Sequence, residues 1–288
     1  MTGSQNSQTT PASALIDWPR DDDARPLVVA HRGASAGAPE NTLAAFGLAR
    51  GHGADGIEFD VRLAADGVPV VVHDETLLRT AALDRAVNSL TSAELARLDA
   101  GSWFNRRFPA RARPEFAGEG VPTLATVLDL FGPRFRVLHV ELKCPAGGCR
   151  ALVEAAVSVL RSREEVARRA VVKSFDLKAV GEVKLLAPRL RTAALFGRNL
   201  TRPPIATRQM LALALDCGAD VLGPHRSLVT RRRVEAARDA GLPVIVWTVD
   251  HPAWAGRARE WGLRALVTNR PAQLLTAFGA TRPDAPGN

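Results

Sequence analysis

"GIEFDVRLAADGVPVVVHDE", residues 56 to 75, consists of two apolar-rich runs on either side of Asp66-Gly67, the sequence pattern of a β-hairpin. In the first run Ile57, Phe59, Val61 and Leu63 point to one face and Glu58, Asp60 and Arg62 to the other, because side chains along a strand alternate with a period of two. A two-residue turn sets Ala65 against Val68, and counting outward places Asp60 opposite His73 on the same face. In most hairpins such a polar face simply meets water. The meaning of Glu58 and Asp60 therefore depends on what the rest of the chain builds around them.

Working outward, nine short β-branched runs read as strands: "PLVVAHRG", "GIEFDV", "VPVVVHD", "RVLHVELK", "RAVVKSF", "RTAALF", "ADVLGP", "PVIVWTV" and "RALVTN". Helical stretches such as "ENTLAAFGLARGHG", "LVEAAVSVLRSREEVARR" and "TRRRVEAARDAG" separate most of them, the alternation of an α/β protein with a parallel sheet. "GIEFDV" and "VPVVVHD" are too close for a helical crossover, so the second counts as an antiparallel extension and eight barrel strands remain. The architecture expected is a (β/α)8 TIM barrel with a small insertion, residues 76 to about 121, after the early hairpin. An open doubly wound sheet is the alternative, but no Gly-x-Gly-x-x-Gly follows any strand. Residues 1 to 25 and 277 to 288 read as tails, leaving a single domain over residues 26 to 276.

A barrel changes the reading of the alternating strand. Its outer face packs on helices, so the polar face looks into the interior, where uncompensated carboxylates are costly and call for a cation or a proton. "RVLHVELK" repeats the pattern: Leu138, Val140 and Leu142 face out, and His139, Glu141 and Lys143 face in. Glu58, Asp60 and Glu141 thus make an all-oxygen set suited to one divalent cation, Mg²⁺ or Ca²⁺. The hairpin brings His73 beside it, and His31 ends the first strand at the catalytic end of a barrel. Two histidines with a hard cation suit phosphate-ester cleavage, one removing a proton and the other protonating the leaving oxygen. His139 lies deeper, among packing layers, and with His52, His225 and His251 reads as structural.

The net charge of +8 is spread along the chain, and only four of the 38 basic residues are lysine. The triplet Arg231 to Arg233 sits on the solvated side of an amphipathic helix, so no basic stripe points to nucleic acid. No run of about 18 apolar residues suggests a membrane span, and the N-terminal stretch lacks a basic head and apolar signal core, so no stable membrane insertion and a cytoplasmic location are expected. Cys144, Cys149 and Cys217 are an odd set, read as ordinary small residues in a reducing compartment and not as a disulfide framework. Oligomeric state is not legible.

"HRGASAGAPENTLAAF", "GIEFDVRLAADGVPVVVHDETLLRT", "VELK", "VVKSFD" and "PVIVWTVD", in this order from about residue 27 to 275, resemble the glycerophosphodiester phosphodiesterase family. The resemblance implies a metal-dependent barrel enzyme that cleaves small-molecule glycerophosphodiesters to glycerol 3-phosphate and an alcohol, with water or the substrate's own hydroxyl as nucleophile. Carried over by position, His31 and His73 form the acid/base pair, Glu58, Asp60 and Glu141 hold the metal, and Arg32 and Lys143 hold the phosphate. Glu40 of "PENT" reads as a further ligand or a helix-start acid, and the resemblance places it near the site, around the ligands. Trp247 is either barrel-top packing or a wall for the alcohol. The closing strand departs from the family, carrying Thr268-Asn269 before Arg270-Pro271 where Thr-Asp before a proline is usual. Two other functions compete: a phospholipase-like relative acting on lipid headgroups, for which "GSWFNRRFP" with Trp103, Phe104 and Phe108 is the candidate lipid-facing loop, and a metal-binding barrel without turnover.

Overall fold

The computed structural model describes residues 25 to 198 and 205 to 280; most of the two expected tails lies outside them. All nine expected strands form: β1 (Leu27–His31), β2 (Gly56–Leu63), β3 (Pro69–Val71), β4 (Val137–Leu142), β5 (Ala170–Ser174), β6 (Arg191–Phe196), β7 (Val221–Pro224), β8 (Ile245–Val246) and β9 (Ala265–Thr268). Eight run parallel in the order β7-β6-β5-β4-β2-β1-β9-β8, and bridges Leu222↔Val244 and His225↔Trp247 join the two ends into a barrel. β3 pairs antiparallel with β2 outside that ring.

The outward residues Ile57, Phe59, Val61, Leu138, Val140 and Leu142 are buried against helix residues such as Phe46, Leu128 and Val153, as the alternation requires. Inside, Leu27, Val29, Val137, Val171, Val221, Ile245 and Val267 fill the bottom of the barrel. The polar inward residues stand above this layer. Each parallel strand that follows β1 offers its C-terminal end to the same mouth.

Two expectations change. The hairpin loop has three residues, not two: Ala64 N–H bonds to Val68 O at 3.0 Å, and Gly67 sits at φ +75°, the left-handed position that closes such a loop. The register shifts by one, so Val61 faces Val71, and Asp60 O accepts from the N–H of Val72, not from a residue-73 partner. His73 lies just beyond β3, where the chain has left the ladder and its direction is no longer bound by strand parity. Second, Cys144 and Cys149 form a disulfide across the loop after β4, leaving Cys217 as the free thiol. Pro145 turns the chain and Gly148, at φ +110°, lets it double back, so a pair five apart in sequence meets although the cysteine count is odd. The cysteines therefore give no support to a reducing compartment.

The inserted segment folds as short helices, among them Leu78–Ala81, Ser92–Leu95 and Ser102–Arg107. Ser92–Leu95 opens with a full capping box between Thr91 and Glu94. Phe104, with 0% exposure, packs on Ala38, Ala45 and Phe116, and Trp103 and Phe108 are half-buried beside it. The loop expected as a possible lipid-facing element thus has its apolar side turned inward. No helix among the described residues is long and apolar enough to cross a membrane.

Candidate active site

β2 and β4 lie in register with Glu58 beside His139 and Asp60 beside Glu141, and β5 continues the row by setting Lys173 beside Glu141. Adjacent parallel strands carry side chains of matched residues to the same face, so three carboxylates converge at one level of the barrel. One ligand oxygen from each of Glu58, Asp60 and Glu141 lies within 4.8 Å of the others, and all three residues are buried. Hard oxygen donors at this spacing fit a divalent cation such as Mg²⁺ or Ca²⁺. Glu58 Oε1 and Asp60 Oδ1 add to the fit: each is buried with an ammonium group at 3.0 Å, from Lys173 and Lys143 respectively, yet neither accepts a hydrogen bond in good geometry.

Glu58 and Asp60 are held ionised. Burial pushes the Asp60 carboxyl up, but Arg32, Lys143 and His73 and a hydrogen bond from Asn41 outweigh it and hold it well below the usual carboxylate range. Glu58 is likewise lowered, with burial opposed chiefly by Lys173 and His31. Lys143 answers in kind: burial lowers its pKa, and Asp60 and Glu141 more than offset this. Its ammonium pairs with Asp60 Oδ1 at 3.0 Å and with Glu141 Oε1.

Arg32 occupies the left-handed region at φ +56°, unusual for a residue with a Cβ, and Gly33 follows at φ +81° with Ala45 backbone so close that a Cβ there would overlap it at 2.6 Å. This turn aims the Arg32 N–H at Glu58 Oε2, 3.0 Å, and its guanidinium at Asp60 Oδ2, 3.0 Å, and Glu40 Oε1, 2.8 Å. Glu40 is shared with Arg79 of the insertion, which also bonds Asp74 at 2.5 Å. Glu40 thus links Arg32 to the insertion and stays outside the carboxylate cluster. Asn41, at φ +59°, donates to Asp60 Oδ2 at 2.9 Å, and Thr42 caps the helix that follows.

His31 and His73 stand at the mouth with different partners. His31 Nδ1 lies 2.7 Å from Asn269 Oδ1 and its Nε2 3.9 Å from Glu58 Oε2. His73 Nδ1 lies 2.7 Å from the carboxylate of Asp74. His139 is fully buried below them, with neither ring nitrogen hydrogen-bonded, and burial first, then Lys173, depress its pKa to about 3. Trp247 donates its indole N–H to Gly223 O at 2.8 Å and packs edge-on against Phe175 and His225, on the side of the mouth where Phe175 lies 5.9 Å from the Lys143 ammonium.

The alternation identified Glu58, Asp60 and Glu141, and it could also have identified Lys173, the only charged residue of β5 "AVVKS". Asn41 carried no such periodic signal.

The chain matches the model of the glycerophosphoryl diester phosphodiesterase family over residues 31–273. It belongs to this family. A glycerophosphodiester phosphodiesterase of Caldanaerobacter subterraneus subsp. tengcongensis is 33% identical over 249 residues, covering 86% of this chain and 96% of the relative. One from Bacillus subtilis is 33% identical over 268 residues, covering 91% and 89%. Among solved structures, an Oleispira antarctica phosphodiesterase in complex with the product sn-glycerol-3-phosphate superposes with a TM-score of 0.76 at 29% identity, covering 89% of this chain and 98% of that one. The glycerophosphodiester phosphodiesterase of Agrobacterium tumefaciens gives 0.68 at 31%, covering 87% and 99%. The chain is thus a family hydrolase acting on glycerophosphodiesters, and its buried carboxylates can coordinate a divalent cation.

Proposed function

We propose that the chain hydrolyses small glycerophosphodiesters to glycerol 3-phosphate and an alcohol, with His31 as general base and His73 as general acid. The observation that carries this reading is the pair of unlike histidine partners around one carboxylate cluster. His73 has a carboxylate, Asp74, at Nδ1, which suits a ring that carries a proton to give to a leaving oxygen. His31 has an amide oxygen there, which leaves Nε2 as the atom free to take a proton from the nucleophile.

Glu58, Asp60 and Glu141 would hold one Mg²⁺ or Ca²⁺, which when bound supplies positive charge for a phosphate oxygen. Lys143, at the rim of the cluster, and Arg32, which is drawn toward Asp60 and Glu40, hold the phosphate by charge-assisted hydrogen bonds. Asn41 keeps Asp60 oriented, and Lys173 keeps Glu58 ionised from below. Phe175 and Trp247 wall the mouth beside Lys143. The Phe104 cluster of the insertion is packed against the domain, which supports water-soluble diesters over a lipid surface as substrates.

The test is release of glycerol 3-phosphate from glycerophosphocholine and glycerophosphoethanolamine by the purified chain, with and without EDTA. Release that stops in EDTA and returns with Mg²⁺ or Ca²⁺ is expected. No release under any of these conditions, or undiminished release in His31→Ala and His73→Ala variants, contradicts the reading.

A further inference from the structure

Asp250, at the mouth end of the chain leaving β8, makes three hydrogen bonds, all to the end of β9. Its Oδ1 accepts from the backbone N–H of Asn269 at 2.8 Å and from the Thr268 hydroxyl at 3.0 Å, and its Oδ2 accepts from the Asn269 side-chain amide at 2.7 Å. A carboxylate only accepts, so the atom that Asn269 turns toward Asp250 must be Nδ2. The opposite atom, Oδ1, is then fixed toward His31 Nδ1 at 2.7 Å. The Ser35 hydroxyl lies 2.9 Å from that same oxygen and 2.7 Å from the carbonyl of His31, closing the group from the other side. An amide oxygen also only accepts, so His31 must carry its proton on Nδ1.

We propose that Asp250 is a positioning residue which, through the amide of Asn269, sets the tautomer and ring orientation of His31. Asn269 alone cannot do this. A free amide can turn over and present either a donor or an acceptor to the ring, so an asparagine beside a histidine leaves the tautomer open. The carboxylate removes that freedom, since the reversed amide would bring Oδ1 against Asp250 Oδ2 at the present 2.7 Å separation. The two bonds to Oδ1, one from the Asn269 backbone N–H and one from the Thr268 hydroxyl, hold Asp250 itself still. Direction therefore passes along the chain Asp250, Asn269, His31, although Asp250 touches neither the histidine nor the carboxylate cluster. The fixed geometry leaves the unprotonated Nε2 on the side of Glu58.

The proposal rests on His31 acting through Nε2, as argued under the proposed function, and the variants are chosen to separate the two. In Asp250→Asn, the new amide can satisfy Asn269 N–H and Thr268 with its oxygen only by turning its NH₂ toward Asn269. The Asn269 amide then reverses and offers a donor to His31 Nδ1, which demands the wrong tautomer. The expected result is a loss of about 10²-fold or more in kcat, as for other wrongly oriented catalytic histidines, with KM changed less than about twofold. Asn269→Asp sets two carboxylates face to face and should also lose kcat. The exchange Asp250→Asn with Asn269→Asp restores one donor facing one carboxylate, and an acceptor for His31 Nδ1, so it should recover kcat to within about tenfold of the unchanged enzyme.

Long-range ¹H–¹⁵N correlation spectra of the unchanged protein, with His31 assigned from the His31→Ala variant, provide a readout that does not depend on any of these variants retaining activity. They should show neutral His31 protonated on Nδ1, and protonation on Nε2 instead would overturn the proposal. So would an Asp250→Asn enzyme with unchanged kcat, or an exchanged enzyme no better than the poorer single variant, while His31→Ala is inactive. If His31→Ala retains full turnover, it is the assignment of His31 as the base that fails.

Discussion

The Lys173 ammonium lies 3.0 Å from Glu58 Oε1, with the lysine 2% and the glutamate 0% exposed. A second approach, 3.6 Å to Glu141 Oε2, ties the same ammonium to another member of the carboxylate cluster. Charges this deep are tolerated only in compensating sets, and removing one member strands the rest.

Lys173→Met should therefore destabilise the protein by about 3–5 kcal/mol in urea unfolding in EDTA, because Glu58 is left buried without its main counter-charge. Adding millimolar Mg²⁺ or Ca²⁺ should return part of this loss, since a cation bound only by the folded state stabilises it. A Lys173→Met protein as stable as the unchanged one in chelator would show that the pair carries no such weight.

His139 has a folded pKa of about 3, below the ordinary histidine value, because burial and Lys173 oppose its charged form. The unfolded chain therefore binds the proton first as pH falls. The stability tied to the neutral ring is fully present above about pH 6.5 and is lost progressively from there down to about pH 3. His139→Leu, which removes two unpaired ring nitrogens at similar volume, should make the melting temperature less sensitive to pH across that window. Its turnover at neutral pH should stay within about threefold, in contrast with losses of about 10² or more for His31→Ala and His73→Ala. The reverse ranking would move the chemistry deeper into the barrel.

The Cys144–Cys149 disulfide predicts one titratable thiol, Cys217, in protein unfolded without reductant, and three after reduction. Because the closed loop is short, the paired Cys144→Ser and Cys149→Ser change should cost only about 2 kcal/mol. Three thiols in the non-reduced protein would exclude the bridge.

Phe104 and its aromatic neighbours pack into the space between the insertion and Ala38 and Ala45, which turns Phe104 away from any membrane. We expect glycerophosphocholine to be hydrolysed with a higher kcat/KM than the corresponding lysophospholipid. A preference for the lysophospholipid would identify the mouth as a lipid-facing surface.

Much of this architecture was legible because a barrel imposes a simple parity. Once eight strands are counted, alternate residues of "GIEFDV" and "VLHVEL" must enter the interior, and the acids among them must meet. Lys173 obeyed the same parity but stood alone in its strand, where a single lysine is easily taken for a solvated one. The hairpin register differs by one residue from the expected one because Asp66-Gly67 suits a two-residue turn as well as the three-residue loop that Gly67 closes. The Asp250, Asn269 and His31 chain was illegible for a different reason. His31 and Asn269 are 238 residues apart, and only closure of β9 onto β1 brings them together. Asn269, where the family usually carries Asp, meets His31 through its amide oxygen and the Asp250 carboxylate through its amide NH₂.

Glu58, Asp60 and Glu141 should bind the divalent cation on which turnover depends, and calorimetric titration of the chelator-stripped enzyme with Mg²⁺ and Ca²⁺, paired with turnover of glycerophosphocholine on the same samples, tests this. One site per chain is expected, with turnover that rises with its occupancy and loss of both in Glu141→Ala while the protein remains folded. Cation binding that persists unchanged in Glu141→Ala, or full turnover by that variant in EDTA, would contradict it.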